Sequence, residues 1–441
     1  MMPIHHESGL KLASALSTNA RSEAAGAHVA RLLSESLGSD TPNLVLVFFS
    51  PHHAESAHEL LAALRRDLPN AAIVGASAGS VLADAVELEG SPAVAALALH
   101  ATGARIHPFA LDHADPIDDT QAAHEHLRER LGITRDLSGI LFFPDPFSIP
   151  LIKLLPSLNA VSTLACPDHP APILGGLCSG SKTPGGNVLF LNDRVMRAGA
   201  VGVSISGDLT IDTVVSQGCR PFGPPLVVTK ARHNLILELG GRRAPEVLAE
   251  AIQSLGESAR ATLSDGLLVG LVINEYKERF GRDDFLMRPV VGLDQNSGGV
   301  AINDLVRVGQ TVRLHYRDKT TAEEDLALLL DAQQLRDPPK GVFLVTCHTR
   351  GRRLFGRPHH DAQAVQRAFE PPQAGEDLAK GGRPVAGMAR SIPLAGFSAL
   401  GEIGPIAGQS FLHGSTACLA LFRPKARIHE PNPSQSPQGL P

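Results

Sequence analysis

Ile73-Val74-Gly75-Ala76-Ser77-Ala78-Gly79-Ser80 decides the fold, because two other segments of the chain repeat its plan. Leu174-Gly175-Gly176-Leu177-Cys178-Ser179-Gly180-Ser181 is the second copy. Leu394-Ala395-Gly396-Phe397-Ser398-Ala399-Leu400-Gly401-Glu402 is the third, with one residue inserted. Each copy is an apolar segment running into a turn of small residues. A longer frame stands upstream of each: Leu44 to Ser50, Gly139 to Asp145 and Gly341 to Cys347 are apolar runs, each followed by a helix-like stretch. The recurring unit is strand, helix, strand, glycine turn, strand. Internal repetition of this kind fixes an architecture before any single residue does.

Working outward, Leu44 to Phe49 lies between Pro42 and Pro51 and is continuously apolar, as a strand covered on both faces would be. Ala54 to Leu68 has helical spacing and returns in Ala71 to Val74, a βαβ crossover that makes a parallel pair. Val81-Leu82 and Val86 to Leu88 flank a turn. The second unit runs from Ser138 to about Ser206, with Pro184-Gly185-Gly186 as a hairpin signal. Val214 to Pro225 reads as a Gly/Pro-rich passage, and Ala244 to Leu255 as a helix. Leu267 to Ile273, Phe285 to Leu293, Val300 to Leu305 and Thr311 to Tyr316 read as strands of a further sheet. Ala322 to Leu335 is the next helix, and the third βαβ unit fills 341–422. The expected fold is α/β, with repeated strand-helix-strand-Gly turn-strand units forming two mixed-sheet domains. Their ranges are 11–232, holding two repeat units, and 233–422. The segment 423–441 carries five prolines and no apolar face, and is expected to be a disordered tail.

Composition narrows the function. The chain has 441 residues, 43% of them hydrophobic and 19% charged, with a net charge of −5. That length exceeds one core, and the charge lacks the basic surface that nucleic acid or an anionic membrane requires. Residues 1–17 lack a secretory leader pattern, and no apolar run is long enough to span a bilayer. The five cysteines are odd in number, spread out and never in CxxC, so they read as reduced thiols and place the protein in the cytoplasm. No cofactor and no metal site is expected. His52, His53, His58, His124, His126, His359 and His360 fall on polar stretches and read as solvated, whereas His315 and His413 fall in strands and read as buried and hydrogen-bonded.

Gly75-Ala76-Ser77-Ala78-Gly79 matches the GxSxG nucleophile elbow, and Gly176-Leu177-Cys178-Ser179-Gly180 has that spacing with a thiol. An elbow needs a helix after the turn, whereas strand-like residues or Pro-Gly-Gly follow here. A nucleophile is also needed once, and this turn occurs three times. Repetition favours a geometric role, small residues where backbones approach closely, over a hydrolase or acyltransferase using Cys178 or Ser77. Gly175 to Thr183 is a near miss to a phosphate loop, with Pro184 where the helix should start. Glu402 ends a buried strand, so its carboxylate must be hydrogen-bonded in the turn or meet a polar ligand. Arg317-Asp318 ends another, as an internal ion pair or a ligand clamp. A ligand site built on these turns and strand ends would use Ser77, Gly79, Cys178, Ser179, Gly180, Arg317, Asp318, Glu402 and His413.

These strings together resemble the FIST family (F-box and intracellular signal transduction). The N-terminal resemblance lies in Ala13 to Thr18, Leu44 to Ser50, Ile73 to Gly79 and Gly175 to Gly180. The C-terminal one lies in Phe285 to Pro289, Leu314 to Asp318 with Asp325-Leu326, Gly401 to Pro405 and Phe411 to Gly414. The resemblance implies an intracellular sensory protein that binds a small polar metabolite such as an amino acid, with no catalytic residues. The sequence shows no room for an F-box, kinase or cyclase module, so the expected output is a signalling protein partner in trans. A plain interaction scaffold is the further alternative.

Overall fold

A computed structural model describes residues 9–116, 120–263, 266–370 and 391–425, with only the backbone of 258 and 283. The first unit runs β1 (Leu10–Ser17), α1 (Ser22–Leu37), β2 (Leu44–Phe49), α2 (Ala57–Asp67), β3 (Ala72–Ser77), the hairpin β4 (Ser80–Ala83) and β5 (Val86–Glu89), then β6 (Val94–Ala101). The second repeats that order: β7 (Ala104–Leu111), α3 (Gln121–Arg130), β8 (Leu137–Pro144), α4 (Leu151–Ala165), β9 (Ile173–Gly176), the hairpin β10 (Leu189–Leu191) and β11 (Arg194–Met196), and β12 (Ala200–Gly207).

The third unit opens with β13 (Leu209–Ser216) and is then interrupted by a lobe. That lobe comprises β14 (Cys219–Arg232), β15 (Leu235–Leu239), β16 (Arg242–Arg243), α5 (Ala244–Gln253), α6 (Glu257–Thr262), β17 (Leu267–Val272), β18 (Phe285–Leu293), β19 (Val300–Ile302) and β20 (Thr311–Arg317). The unit resumes with α7 (Lys319–Gln333), β21 (Gly341–Cys347), α8 (Gly351–Phe355), α9 (His360–Phe369), β22 (Leu394–Ala399), the hairpin β23 (Glu402–Ile406) and β24 (Gln409–His413), and β25 (Ala417–Pro424). The lobe's strands pair in the order β14-β20-β17-β18-β19-β15, and β15 returns to β14, so they close a ring of six. The passage read as Gly/Pro-rich is therefore mostly strand. Within it Gly223-Pro224-Pro225 departs from the ladder of β14 with β20, as a register shift between Phe222 and Leu226, where prolines cannot donate.

In each unit the crossover makes a parallel pair, β2–β3, β8–β9 and β21–β22, and the last strand runs back antiparallel beside it. Each sheet of six is then completed by a hairpin from another unit. Hairpin β4/β5 of the first unit joins β22 of the third, β10/β11 of the second joins β3 of the first, and β23/β24 of the third joins β9 of the second. The exchange is cyclic and closes the three units into one body. Their inner faces share one core, in which Phe48 stacks at 4.7 Å from Phe397 and lies 5.2 Å from Phe143, which in turn lies 5.7 Å from Phe343. One such ring is worth about 1.5–3 kcal/mol of burial. The outer faces are covered by α1 and α2, by α3 and α4, and by α7 and α9 respectively.

Where the sequence alone expected 232/233 as a boundary, the chain turns between β14 and β15 inside the lobe, while β13 already pairs with β25. Arg423, expected to open the tail, is buried in β25. There it donates to the Asp337 carbonyl and pairs with the Asp212 carboxylate. The rest of the expected tail, 426–441, lies outside the described residues.

Candidate functional site

The glycine turns are the crossings between sheets. Gly75, Gly175 and Gly396 stand opposite Val47, Phe142 and Leu344 on the neighbouring parallel strand. At all three a Cβ would collide with that partner's carbonyl oxygen, so only glycine fits. This equivalence corrects the alignment drawn from the sequence. Gly175, not Gly176, matches Gly75, and Leu177 takes the place of Ser77 and Ser398. Cys178 then matches Ala78 and Ala399. The Ala78 N–H donates to the Phe49 carbonyl as the Cys178 N–H does to Pro144. A slip of one residue along a strand reverses the face, and Cys178 accordingly lies wholly in the central core with Ala78 and Ala399.

The three crossings meet at the carboxyl ends of the parallel strands, around a cavity of about 240 Å3. Ser179 ties them together: its Oγ accepts from the Gly79 N–H at 2.9 Å and donates to the Ser398 carbonyl. Gly79 and Ser80 come from the first unit, Ser179 and Lys182 from the second, and Ser398 and Leu400 from the third. The end of β21 adds Cys347, the loop after it His348 and Arg350, and β5 Glu89. Lys182 is exposed and pairs with no described residue. Among the described residues, the Glu89 side chain accepts only a 3.3 Å bond from the Arg352 N–H. The cavity thus carries a free cation and a nearly free carboxylate among hydroxyls. Behind it the Arg350 side chain, 0% exposed, forks onto Asp361 at 2.7 and 2.8 Å, which holds the Asp361 carboxyl well below its ordinary range despite burial.

Of the residues expected from the sequence, Gly79 and Ser179 line this cavity. Ser77, Cys178 and Gly180 sit beside it but face protein. The Ser77 hydroxyl accepts from the Val188 N–H at 2.9 Å, and a Cβ on Gly180 would run into it. Burial raises the Cys178 thiol far above its ordinary value. Glu402 is wholly buried; its Oε2 accepts from the Thr416 N–H at 3.1 Å, and Oε1 has no hydrogen-bond partner among the described residues. Burial, and then the neighbouring Cys347, push its carboxyl well above the ordinary value. Arg317 and Asp318 do not pair with each other as an ion pair. Arg317 donates to the Thr349 carbonyl at 3.0 Å, and Asp318 caps α7 by accepting from the Thr321 N–H at 2.9 Å.

His413 lies in the wall of a different, larger cavity. Its Nε2 donates to the Gly404 carbonyl, and burial lowers its pKa to about 4, as burial does for His315. Two histidines expected in solvent are instead buried, His53 against Ser22 and His360 stacked on Phe355. The polar strings around them concealed that the loops after β2 and β21 fold inward. Sequence reasoning passed over Glu89, Cys347, His348 and Arg350. For Cys347 the signal was position, since it takes the place of Ser50 and Asp145 three residues past the contact with the crossing glycine, and His348 and Arg350 follow it.

Family comparison matches residues 43–242 to the FIST N domain and 244–405 to the FIST C domain. The chain belongs to the FIST family. FIST domains are associated with signal-transduction sensing, and the F-box expectation attached to the family name is wrong: the two matches are to the FIST N and FIST C domains. The FIST chain is 37% identical over 402 residues to an uncharacterized protein of Mycobacterium tuberculosis (strain ATCC 25618 / H37Rv), covering 90% of this chain and 96% of the relative. It is 36% identical over 392 residues to an uncharacterized protein of Mycobacterium bovis (strain ATCC BAA-935 / AF2122/97), covering 88% and 92%. A solved structure described as "cyanuic acid hydrolase from A. caulinodans" overlaps 95% of this chain and 100% of its own. Its TM-score is 0.32 at 9% identity, a likeness from which neither fold nor function transfers. No helix among the described residues is long and apolar enough to cross a membrane.

Proposed function

We propose that this FIST protein is a non-catalytic sensor that binds a small zwitterionic metabolite, an amino acid, in the cavity where the three repeat turns meet. The observation that carries this reading is the convergence: each unit sends its crossing turn to one place, and Ser179 links all three. A cavity of about 240 Å3 suits a ligand of amino-acid size. Lys182 would hold the carboxylate and Glu89 the ammonium group, with the hydroxyls of Ser80 and Ser398 orienting the rest. Occupancy would brace turns that belong to three different sheets, which is how binding would reach the outer surface and a signalling partner in trans.

A binding role is favoured over a hydrolase or acyltransferase because the nucleophiles that reading needs are unavailable. Ser77 and Cys178 are fully buried, and burial keeps the Cys178 thiol protonated. Isothermal titration against the twenty amino acids tests the proposal. One or a few should bind, and Lys182→Ala should weaken the best of them roughly 5- to 30-fold, the equivalent of about 1–2 kcal/mol. Cys178→Ala should leave affinity unchanged. Absence of binding by every amino acid, or Lys182→Ala binding like the parent protein, would refute it.

A further inference from the structure

A second cavity, of about 870 Å3, lies between the inserted lobe and the three-unit body. Its walls are built mainly from α4 of the second unit, β24 of the exchanged hairpin, and β18 with the loop after β19 of the lobe, with Leu177 and Leu400 from the crossing turns. The lining is mainly apolar, with Leu155, Leu177, Met287 and Phe411 among it. Ile152 and Leu164, both in its wall, stand 54% and 68% exposed.

Polar groups in this cavity divide into spent and unspent. Arg288 is spent: it is buried, pairs with Asp304, and donates to the Leu412 carbonyl at 2.7 Å and the Met287 carbonyl at 3.1 Å. That pair contributes no net charge. Arg307, on the same loop as Asp304, is exposed, and its guanidinium has no partner among the described residues. Pro156, inside α4 and in the cavity wall, has no N–H to give to the carbonyl of Ile152 one turn earlier. One acceptor is also open. His413 is neutral with its Nε2 proton committed to Gly404, so its buried, unpartnered Nδ1 presents a lone pair.

We propose that this cavity is a second ligand site, for an amphipathic anion with an aromatic or aliphatic body and a single carboxylate or sulfonate head held by Arg307. Its size and mostly apolar wall match sites that enclose organic ligands of roughly 300–1,000 Å3. One unpaired cation at the rim selects the sign of the head group. The site joins the lobe to the body, so its occupant would fix how the two are packed. Leu400 stands in the walls of both this cavity and the smaller one. The inference does not depend on the amino-acid reading.

The probe is 8-anilinonaphthalene-1-sulfonate, an aromatic body with one sulfonate, followed by its fluorescence on binding the full-length protein. Saturable binding is expected, displaced by dodecanoate and not by dodecyltrimethylammonium. Arg307→Glu changes an exposed side chain and should fold normally, as its melting curve will check; it should weaken the probe at least tenfold. Ala160→Trp, which fills the cavity from α4, should abolish the saturable signal. Lys182→Ala should leave it unchanged, which separates failure here from failure of the amino-acid site. Unsaturable binding, displacement by the cation as readily as by dodecanoate, or an Arg307→Glu titration that overlays the parent would overturn the proposal.

Discussion

Glu87 offers the sharpest test of how the exchanged hairpins hold the body together. It sits on β5, a strand of the first unit lodged in the third unit's sheet, and is only 6% exposed. Its Oε1 accepts from the Ala362 N–H at 2.9 Å, at the N-terminus of α9. Burial first, and then the charge of Asp361, raise its pKa from 4.5 to about 7. The folded state therefore holds this proton more tightly than the unfolded chain, so the carboxyl costs stability as pH rises from 4.5 through 7. The rise from 4.5 to about 7 amounts to about 3 kcal/mol by pH 8. Glu87→Gln keeps an acceptor for Ala362 and removes the charge. Urea unfolding of parent and variant from pH 4 to 8 should give similar stabilities at the acid end. The variant should gain progressively, by up to about 3 kcal/mol, at the alkaline end. A difference between the two proteins that stays flat across this range would refute the reasoning, and with it the buried contact between the swapped hairpin and α9.

Arg350→Met leaves the buried Asp361 with His360 as its remaining side-chain partner and should cost about 3–5 kcal/mol in the same unfolding assay, whereas surface changes such as Arg31→Met should cost under about 1 kcal/mol. Cys178→Ala supplies the residue found at both equivalent positions and should cost less than Cys178→Ser, which buries a hydroxyl in the apolar core at about 1–3 kcal/mol; equal melting temperatures would contradict the realigned repeats. Neither variant should alter labelling of the folded protein by iodoacetamide at that site, because the thiol is enclosed and protonated. Arg423→Ala should destabilise by about 1–3 kcal/mol, since Asp212 keeps Arg336 as a second partner, and an unchanged melting curve would show that β25 ends before it.

The sequence by itself determined the repeating unit, because continuous apolar runs and crossover-length helices leave a parallel pair as the arrangement that buries both faces. It also marked the glycine turns as places of close approach, and Gly75, Gly175 and Gly396 do lie against neighbouring carbonyls. What it left open was which copy aligned with which by one residue, and adjacent glycines at 175 and 176 look alike until a ladder assigns the face. Tertiary structure alone decided that each hairpin leaves its own sheet for another. Strand pairing is set by contacts made across hundreds of residues, and no local pattern in Ser80 to Glu89 names β22 as its partner. For the same reason the cavity joining Gly79, Ser179 and Ser398 with Lys182 and Glu89 could not be read locally. Glu402 and Asp318 looked like ligand groups because a carboxylate at a strand end requires a partner. The folded chain supplies partners from its own backbone, the N–H of Thr416 and of Thr321.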